Sequence, residues 1–159
     1  IFVKFDNATQ RFAPRNTFRR GRWSKPNQTL LPGEGAYLFN PTRRPLHVTF
    51  TGDWTYGTVS LPDGLSLISS PGPGTIDFAP STIPHGSVPP GPFASSGFQF
   101  DPQEGDAVFT FDGHSFVRHR FQDGEWDTLP VLDIGESCFV LTSHPRVIQF
   151  SGVLPLAPN

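Results

Sequence analysis

The sequence predicts an all-β fold: two tandem pseudo-repeats of short antiparallel strands, sandwich- or barrel-like, joined by a long Pro/Gly-rich segment. Three observations carry this. First, 18 Pro and 16 Gly in 159 residues work against long helices, because Pro lacks a backbone donor and Gly weakens regular elements. Second, short alternating apolar runs, rich in the 16 Phe, fit pleated and half-buried surfaces. Third, four landmarks recur in order along the chain. Val3-Lys4-Phe5-Asp6 answers to Phe109-Thr110-Phe111-Asp112. Phe18-Arg19-Arg20-Gly21-Arg22-Trp23 answers to Phe121-Gln122-Asp123-Gly124-Glu125-Trp126. Gly33-Glu34 before Tyr37 answers to Gly135-Glu136 before Phe139, and Pro45 to Gly52 answers to Pro145 to Gly152. The offset drifts from 106 to 100, which predicts an internal duplication with a few loop residues lost from the second copy.

The elements follow in order. Residues 1–5 alternate as a strand, and Asp6-Asn7 supplies turn chemistry. Strands are expected at 11–12 and over 17–23, with Gly21 as a bulge or turn. Residues 24–32 read as loop, 36–39 as strand, 40–45 as a hairpin loop and 46–51 as the returning strand. This first repeat occupies residues 1–52. The connecting segment, 53–100, holds short strands at 54–61 and 65–69, then a Pro/Gly-crowded stretch over 70–96 that reads as extended polyproline-like coil. Strands resume at 97–100, and 101–159 is the second repeat with a proline-broken tail.

Charge divides the same way. The net charge of -2 hides nine Lys/Arg against two Asp/Glu in residues 1–52, and three against nine in residues 101–152. The contrast is sharpest at the repeated corner, where Arg19, Arg20 and Arg22 in the first copy stand against Asp123, Glu125 and Asp127 near or in the second. Opposite charge on like-folded modules suits a head-to-tail homopolymer. Attraction within one chain, or a basic first copy that binds polyanions, are the competing explanations. The acidic second copy and the lack of a recognisable module argue against nucleic acid.

The residues at Leu65-Ser66-Leu67-Ile68-Ser69-Ser70-Pro71, Phe109-Thr110-Phe111-Asp112, the Gly-x-Trp corner, Gly135-Glu136-Ser137-Cys138-Phe139-Val140 and Phe150-Ser151-Gly152 resemble a β-rich repeat module of secreted and cell-surface bacterial proteins. That resemblance covers most of the chain and implies an extracellular or surface location, with no catalytic residues. In the module the Leu-Ile-Ser strand comes first. Here the second copy has it, at 65–69, and the first does not. Either the first copy is closed within the molecule, by 54–61 or by the tail, or it leaves an edge open to a strand from another chain. The absence of Met and the start at Ile1 agree with removal of a signal peptide.

Chemistry-bearing patterns are few. No catalytic residues, cofactor or metal site is expected. His114 and His119 are five apart and would face opposite sides of a straight strand. The acidic loop 101–106 reads as a solvated turn rather than a calcium site. Ser, His and Asp occur without a nucleophile elbow. Cys138 reads as a buried strand residue. No run is long enough to span a bilayer as a helix. Trp54 and Tyr56 would share a strand face and are candidates for stacking on a polysaccharide, with core packing as the plainer role. Asn7 and Asn27 lie in N-x-Thr sequons. The leading expectation is a secreted, non-enzymatic structural subunit that forms a filament or surface layer. The alternative is a carbohydrate-binding or adhesive module.

Overall fold

The structure, a computed structural model, describes residues 1–42, 44–45, 47–49, 57–69, 76–78, 98–133 and 135–150. The chain is all-β, in stacked antiparallel sheets. The strands are β1 (Phe2–Asp6), β2 (Arg11–Phe12), β3 (Phe18–Arg19), β4 (Arg22–Trp23), β5 (Ala36–Leu38), β6 (Gly57–Leu61), β7 (Gly64–Ser69) and β8 (Ile76–Asp77). They continue with β9 (Phe98–Gln99), β10 (Ala107–Phe111), β11 (Phe116–Gln122), β12 (Glu125–Trp126), β13 (Val131–Leu132), β14 (Ser137–Thr142) and β15 (Arg146–Phe150).

The central sheet runs β12-β11-β10-β14-β7. Its strands alternate, so each face collects its own apolar set. Ile68, Val108, Cys138 and Val140 are fully buried on one face. They pack with Leu61, Ile76, Phe78, Phe100, Leu132 and Ile148 from β6, β8, β13, β15 and their flanks. The opposite face carries Leu67 and Phe139, with Leu65 and Phe109 beside them. These meet Phe5 and Tyr37 of the sheet β2-β1-β5. Phe5 and Phe139 meet edge to face with ring centroids 5.3 Å apart. A sheet buried on both faces accounts for the four consecutive apolar residues Cys138 to Leu141 of β14 and for the adjacent Leu67 and Ile68 of β7.

Strand β7 has a partner on each side. One edge pairs with β14 from Ser69↔Ser137 to Gly64↔Thr142. On the other edge Ser69 N donates to Gly33 O (3.1 Å) and Gly35 N to Leu67 O (3.2 Å). Side-chain amides continue the coverage. Leu67 N donates to Asn7 Oδ1 (2.8 Å), Leu65 N donates to Gln10 Oε1 (3.2 Å), and Gln10 Nε2 donates to Asp63 O. The edge beside Gly33–Gly35 is therefore covered within the molecule. Strand β6, within the stretch 54–61, pairs with β15 in the second half, and the tail lies outside the described residues. Gly35 is held here by close approach: a Cβ would lie 2.6 Å from Leu67 Cγ and 3.0 Å from the Ile68 backbone.

Several expectations are corrected. No strand forms over residues 47–49, the described part of the stretch 46–51. The preceding loop is closed by Asn40 Nδ2, which donates to Arg44 O (2.8 Å). Within the stretch read as coil, Ile76-Asp77 pairs with β13, and Ile76 and Phe78 are fully buried. Two apolar residues flanking an Asp were masked in the sequence by the Pro and Gly around them. The rest of 70–96 lies outside the described residues. The first-half equivalent of the long strand β11 is broken. Phe12 to Asn16 spans one residue more than the opposing Phe2 to Phe5, and the extra residue falls at Pro14-Arg15. Proline cannot donate to the ladder, so the surplus is accommodated as a bulge there.

His114 and His119 do not share a strand. His114 sits in the turn after β10, while His119 is buried, between Thr110 Oγ1 (3.0 Å) and Thr128 O (3.0 Å). Cys138 is buried as read, and burial pushes its thiol pKa up. Burial likewise pushes the Tyr37 hydroxyl up to about 12. Asp106 is fully buried and paired with Arg146 through two contacts, 2.6 and 3.2 Å. This pair ties the acidic loop to β15, and Gln103 N donates to the same carboxylate (2.8 Å).

The shared strand should dominate stability. Leu67→Ala is expected to cost about 2–5 kcal/mol. Asn7→Ala, which strips the amide cover from β7, is expected to cost about 1–2 kcal/mol. Urea midpoints with an unchanged denaturant slope check both. A loss under about 0.5 kcal/mol for Leu67→Ala would contradict the two-sided burial of β7.

Candidate interaction surface

Two hairpins share one geometry. In the first, Phe18 pairs with Trp23 and Arg19 with Arg22. In the second, Phe121 pairs with Trp126 and Gln122 with Glu125. Each aromatic pair sets the register, with ring centroids 5.2 and 5.3 Å apart. Each turn has two residues with positive φ: Arg20 (52°) and Gly21 (79°), Asp123 (56°) and Gly124 (82°). That is the type I′ conformation whose twist matches the strands, and it places Gly second. Each hairpin is closed by the same hydrogen bond at its base, Ser24 N to Thr17 O and Asp127 N to Arg120 O, both 2.9 Å. A side chain repeats it in reverse: Thr17 N donates to Ser24 Oγ, and Arg120 N to Asp127 Oδ1, both 3.0 Å.

The likeness extends beyond the corners. Val3↔Tyr37 between β1 and β5 falls at the positions of Phe109↔Phe139 between β10 and β14. Asp6 Oδ1 accepts from Ala8 N and Thr9 N, and Asp112 Oδ1 from His114 N and Ser115 N. Hydrogen bonds from Thr9 hold the Asp6 carboxyl below its ordinary pKa, and those from Ser115 and His114 do the same for Asp112. Glu34 and Glu136 each reach back to a backbone N–H three residues earlier, at 2.7 and 3.0 Å.

The hairpins differ in depth and charge. Phe121 is 6% exposed and Phe18 55%. Trp126 Nε1 donates to Phe78 O (2.7 Å), and its ring stacks near Phe100, so the second corner is rooted in the core. The ring contacts of Trp23 among the described residues are with Phe2 and Phe18. Arg19, Arg20, Arg22, Asp123, Glu125 and Asp127 are all exposed. Among the described residues the ion pairs are Lys4–Glu34 and Arg146–Asp106, so the two corners do not meet each other within the chain. Arg19 stands directly across from Arg22, a like-charge pairing that destabilises a hairpin. Arg20 occupies the left-handed region, which suits Asn, Asp or Gly better.

The six charged residues are not equivalent. Asp127 Oδ1 accepts from Arg120 N and from Thr128 N (2.6 Å), so it builds the hairpin base. Asp123 and Glu125 have no such duty among the described residues. One further residue, not anticipated from the sequence, belongs to this surface. Glu104 of the acidic loop accepts from Asp123 N (3.0 Å) and Gly124 N (2.8 Å). Nothing in its spacing to the corner signals this. It follows from the fold-back of 101–106 along β11.

A second concave feature lies between β1 and the β6–β15 pair. It is an open groove of about 1270 Å3, with Lys4, Gln28, Glu34, Thr58, Ser60 and Arg146 among its lining residues. Gln28 Oε1 is buried with no partner. Trp54 and Tyr56 lie outside the described residues. Among the described residues, no group of three or more potential metal ligands occurs and no helix is long and apolar enough to cross a membrane. No family model, curated protein or solved structure matches the chain.

These contacts separate structural from free charge. Asp127→Ala is expected to lower stability by about 0.5–2 kcal/mol, as loss of a capping side chain does, and Glu125→Ala by under about 0.5 kcal/mol. Thermal melts at equal ionic strength read the difference, and equal losses would contradict it.

Proposed function

We propose that the chain is a non-catalytic structural subunit of a secreted assembly, joined head to tail by the basic corner of one subunit and the acidic corner of the next. One observation carries the reading: two hairpins of equal geometry and opposite charge are both exposed, and neither is ion-paired within the chain among the described residues. Their mutual attraction is therefore available to a second copy. A contact between two different patches propagates unless its rotation closes a ring. Complementary charge would speed encounter and fix register. The like-charge Arg19–Arg22 pairing is relieved when an acidic partner docks.

The covered edge of β7 favours charge over strand donation as the assembly mode. The resemblance to surface modules supports an extracellular location. Negative-stain microscopy with size-exclusion chromatography tests the proposal. Polymers are expected at low salt and should dissociate near 1 M salt, where the screening length is about 3 Å. Reversal of Arg19, Arg20 and Arg22 to Glu should abolish them. Partial rescue is expected from Asp123→Arg with Glu125→Arg in a mixed sample, leaving Asp127 intact. A strict monomer at high concentration and low salt would sink the idea.

The groove supports a second reading, a polysaccharide-binding module. Its lining combines charged and amide groups with an unpaired buried carbonyl at Gln28. On that reading Gln28→Ala lowers binding on a glycan array without lowering the melting temperature. The absence of any array signal for the parent protein counts against it.

A further inference from the structure

Two turns of the same backbone conformation use their outward-facing amides differently. At Asp123-Gly124 the Glu104 carboxylate bridges both N–H groups, one oxygen to each, at 3.0 and 2.8 Å. Successive amides in such a turn point to one side and form a concavity for an anion. At Arg20-Gly21 the φ angles, 52° and 79°, match 56° and 82° closely, and the flanking pairs have the same register. The donor pair is therefore the same. Among the described residues, however, Arg20 N and Gly21 N donate to no protein group. Access is open, since Arg20 and Gly21 are both exposed.

The surroundings point to the same ligand chemistry. Arg19, Arg20 and Arg22 bring three exposed guanidinium groups to this turn, with no ion pair among the described residues. Guanidinium groups bind carboxylates through paired N–H donors, and such charge-assisted bonds are the stronger class. At the second turn the carboxylate is supplied from within the chain, and the turn itself brings Asp123 and Glu125. At the first turn the acid is lacking and the flanking residues are basic. Both differences favour an incoming anion at the first turn.

We propose that the Arg20-Gly21 turn is a carboxylate receptor. Two backbone N–H groups hold the two oxygens, as at Glu104, and Arg19 and Arg22 flank them. The occupant is an acidic side chain, Asp123 or Glu125, on the acidic corner of a second copy. That occupant rests on the assembly reading, whereas the receptor rests on the turn geometry and its arginines.

The test is a titration of the 15N-labelled protein, kept monomeric by dilution and followed by amide chemical shifts. The probe is a blocked peptide of sequence Gln-Asp-Gly-Glu-Trp, with its Gln-Asn-Gly-Gln-Trp analogue and inorganic phosphate as comparisons. The Arg20 and Gly21 amides should shift saturably at roughly millimolar acidic peptide and remain unmoved by the amide analogue. Asp123 and Gly124, whose amides Glu104 already holds, should be unmoved. Arg19→Gln with Arg22→Gln should weaken binding at least about threefold while leaving the turn formed.

No saturable response at Arg20 and Gly21 overturns the receptor. A response to phosphate but not to the acidic peptide overturns the carboxylate assignment. Failure of the two proposals is distinguishable. Saturable binding without polymers leaves the receptor and removes the second copy as its occupant. Polymers without an amide response remove the receptor and leave assembly.

Discussion

Strand β7 cannot be stable with either edge bare, and both edges are supplied from distant parts of the chain. Leu67 and Ile68 are fully buried on opposite faces, so the strand needs a layer above and a layer below. Its backbone needs β14 on one side and Gly33–Gly35 with Asn7 and Gln10 on the other. Unpaired backbone groups in such a setting cost as much as lost hydrogen bonds. The first-half sheet, the central sheet and the outer β6, β8 and β15 layer are thereby held in fixed relation. Both corners take their orientation from that frame, through β1 and β10.

Much of the fold was legible because its signals are local. Alternation marks β1, β10 and β11, an apolar run marks β14, and Asn/Asp/Gly chemistry marks the turns. Phe-x-x-Gly-x-Trp marks the hairpins, since the aromatic pair and the second-position glycine are each required by a two-residue type I′ turn. What escaped was non-local. Asn7 looked like half of a turn, or a sequon, and instead offers its amide to Leu67, sixty residues away. Ile76 and Phe78 looked like part of a pause in a proline-rich coil, and instead lie in the core. Neither role leaves a periodicity, because each depends on what the fold brings alongside.

The same distinction applies to the surface. The sequence exposes the charge contrast between the corners but treats Asp127 as equal to Asp123 and Glu125. The structure divides them, because one carboxylate closes a hairpin base and two are free of such contacts among the described residues. Glu104 shows the converse. An acid in an apparently solvated loop is committed to two turn amides. Net charge by segment therefore overstates the number of carboxylates free to pair with a partner, while the arginines of the first corner are undiminished.

The sharing of β7 also constrains how the chain can be made. Its β14 partner ends at Thr142, so during synthesis β7 emerges about seventy residues before that edge can form. At ordinary elongation rates that interval is on the order of several seconds, during which Leu67 and Ile68 have only the first half for company. Asn7, Gln10 and Gly33–Gly35 all precede β7 in the chain. They can occupy one edge as soon as it appears, lowering the risk that a nascent apolar strand pairs with its neighbour on another ribosome.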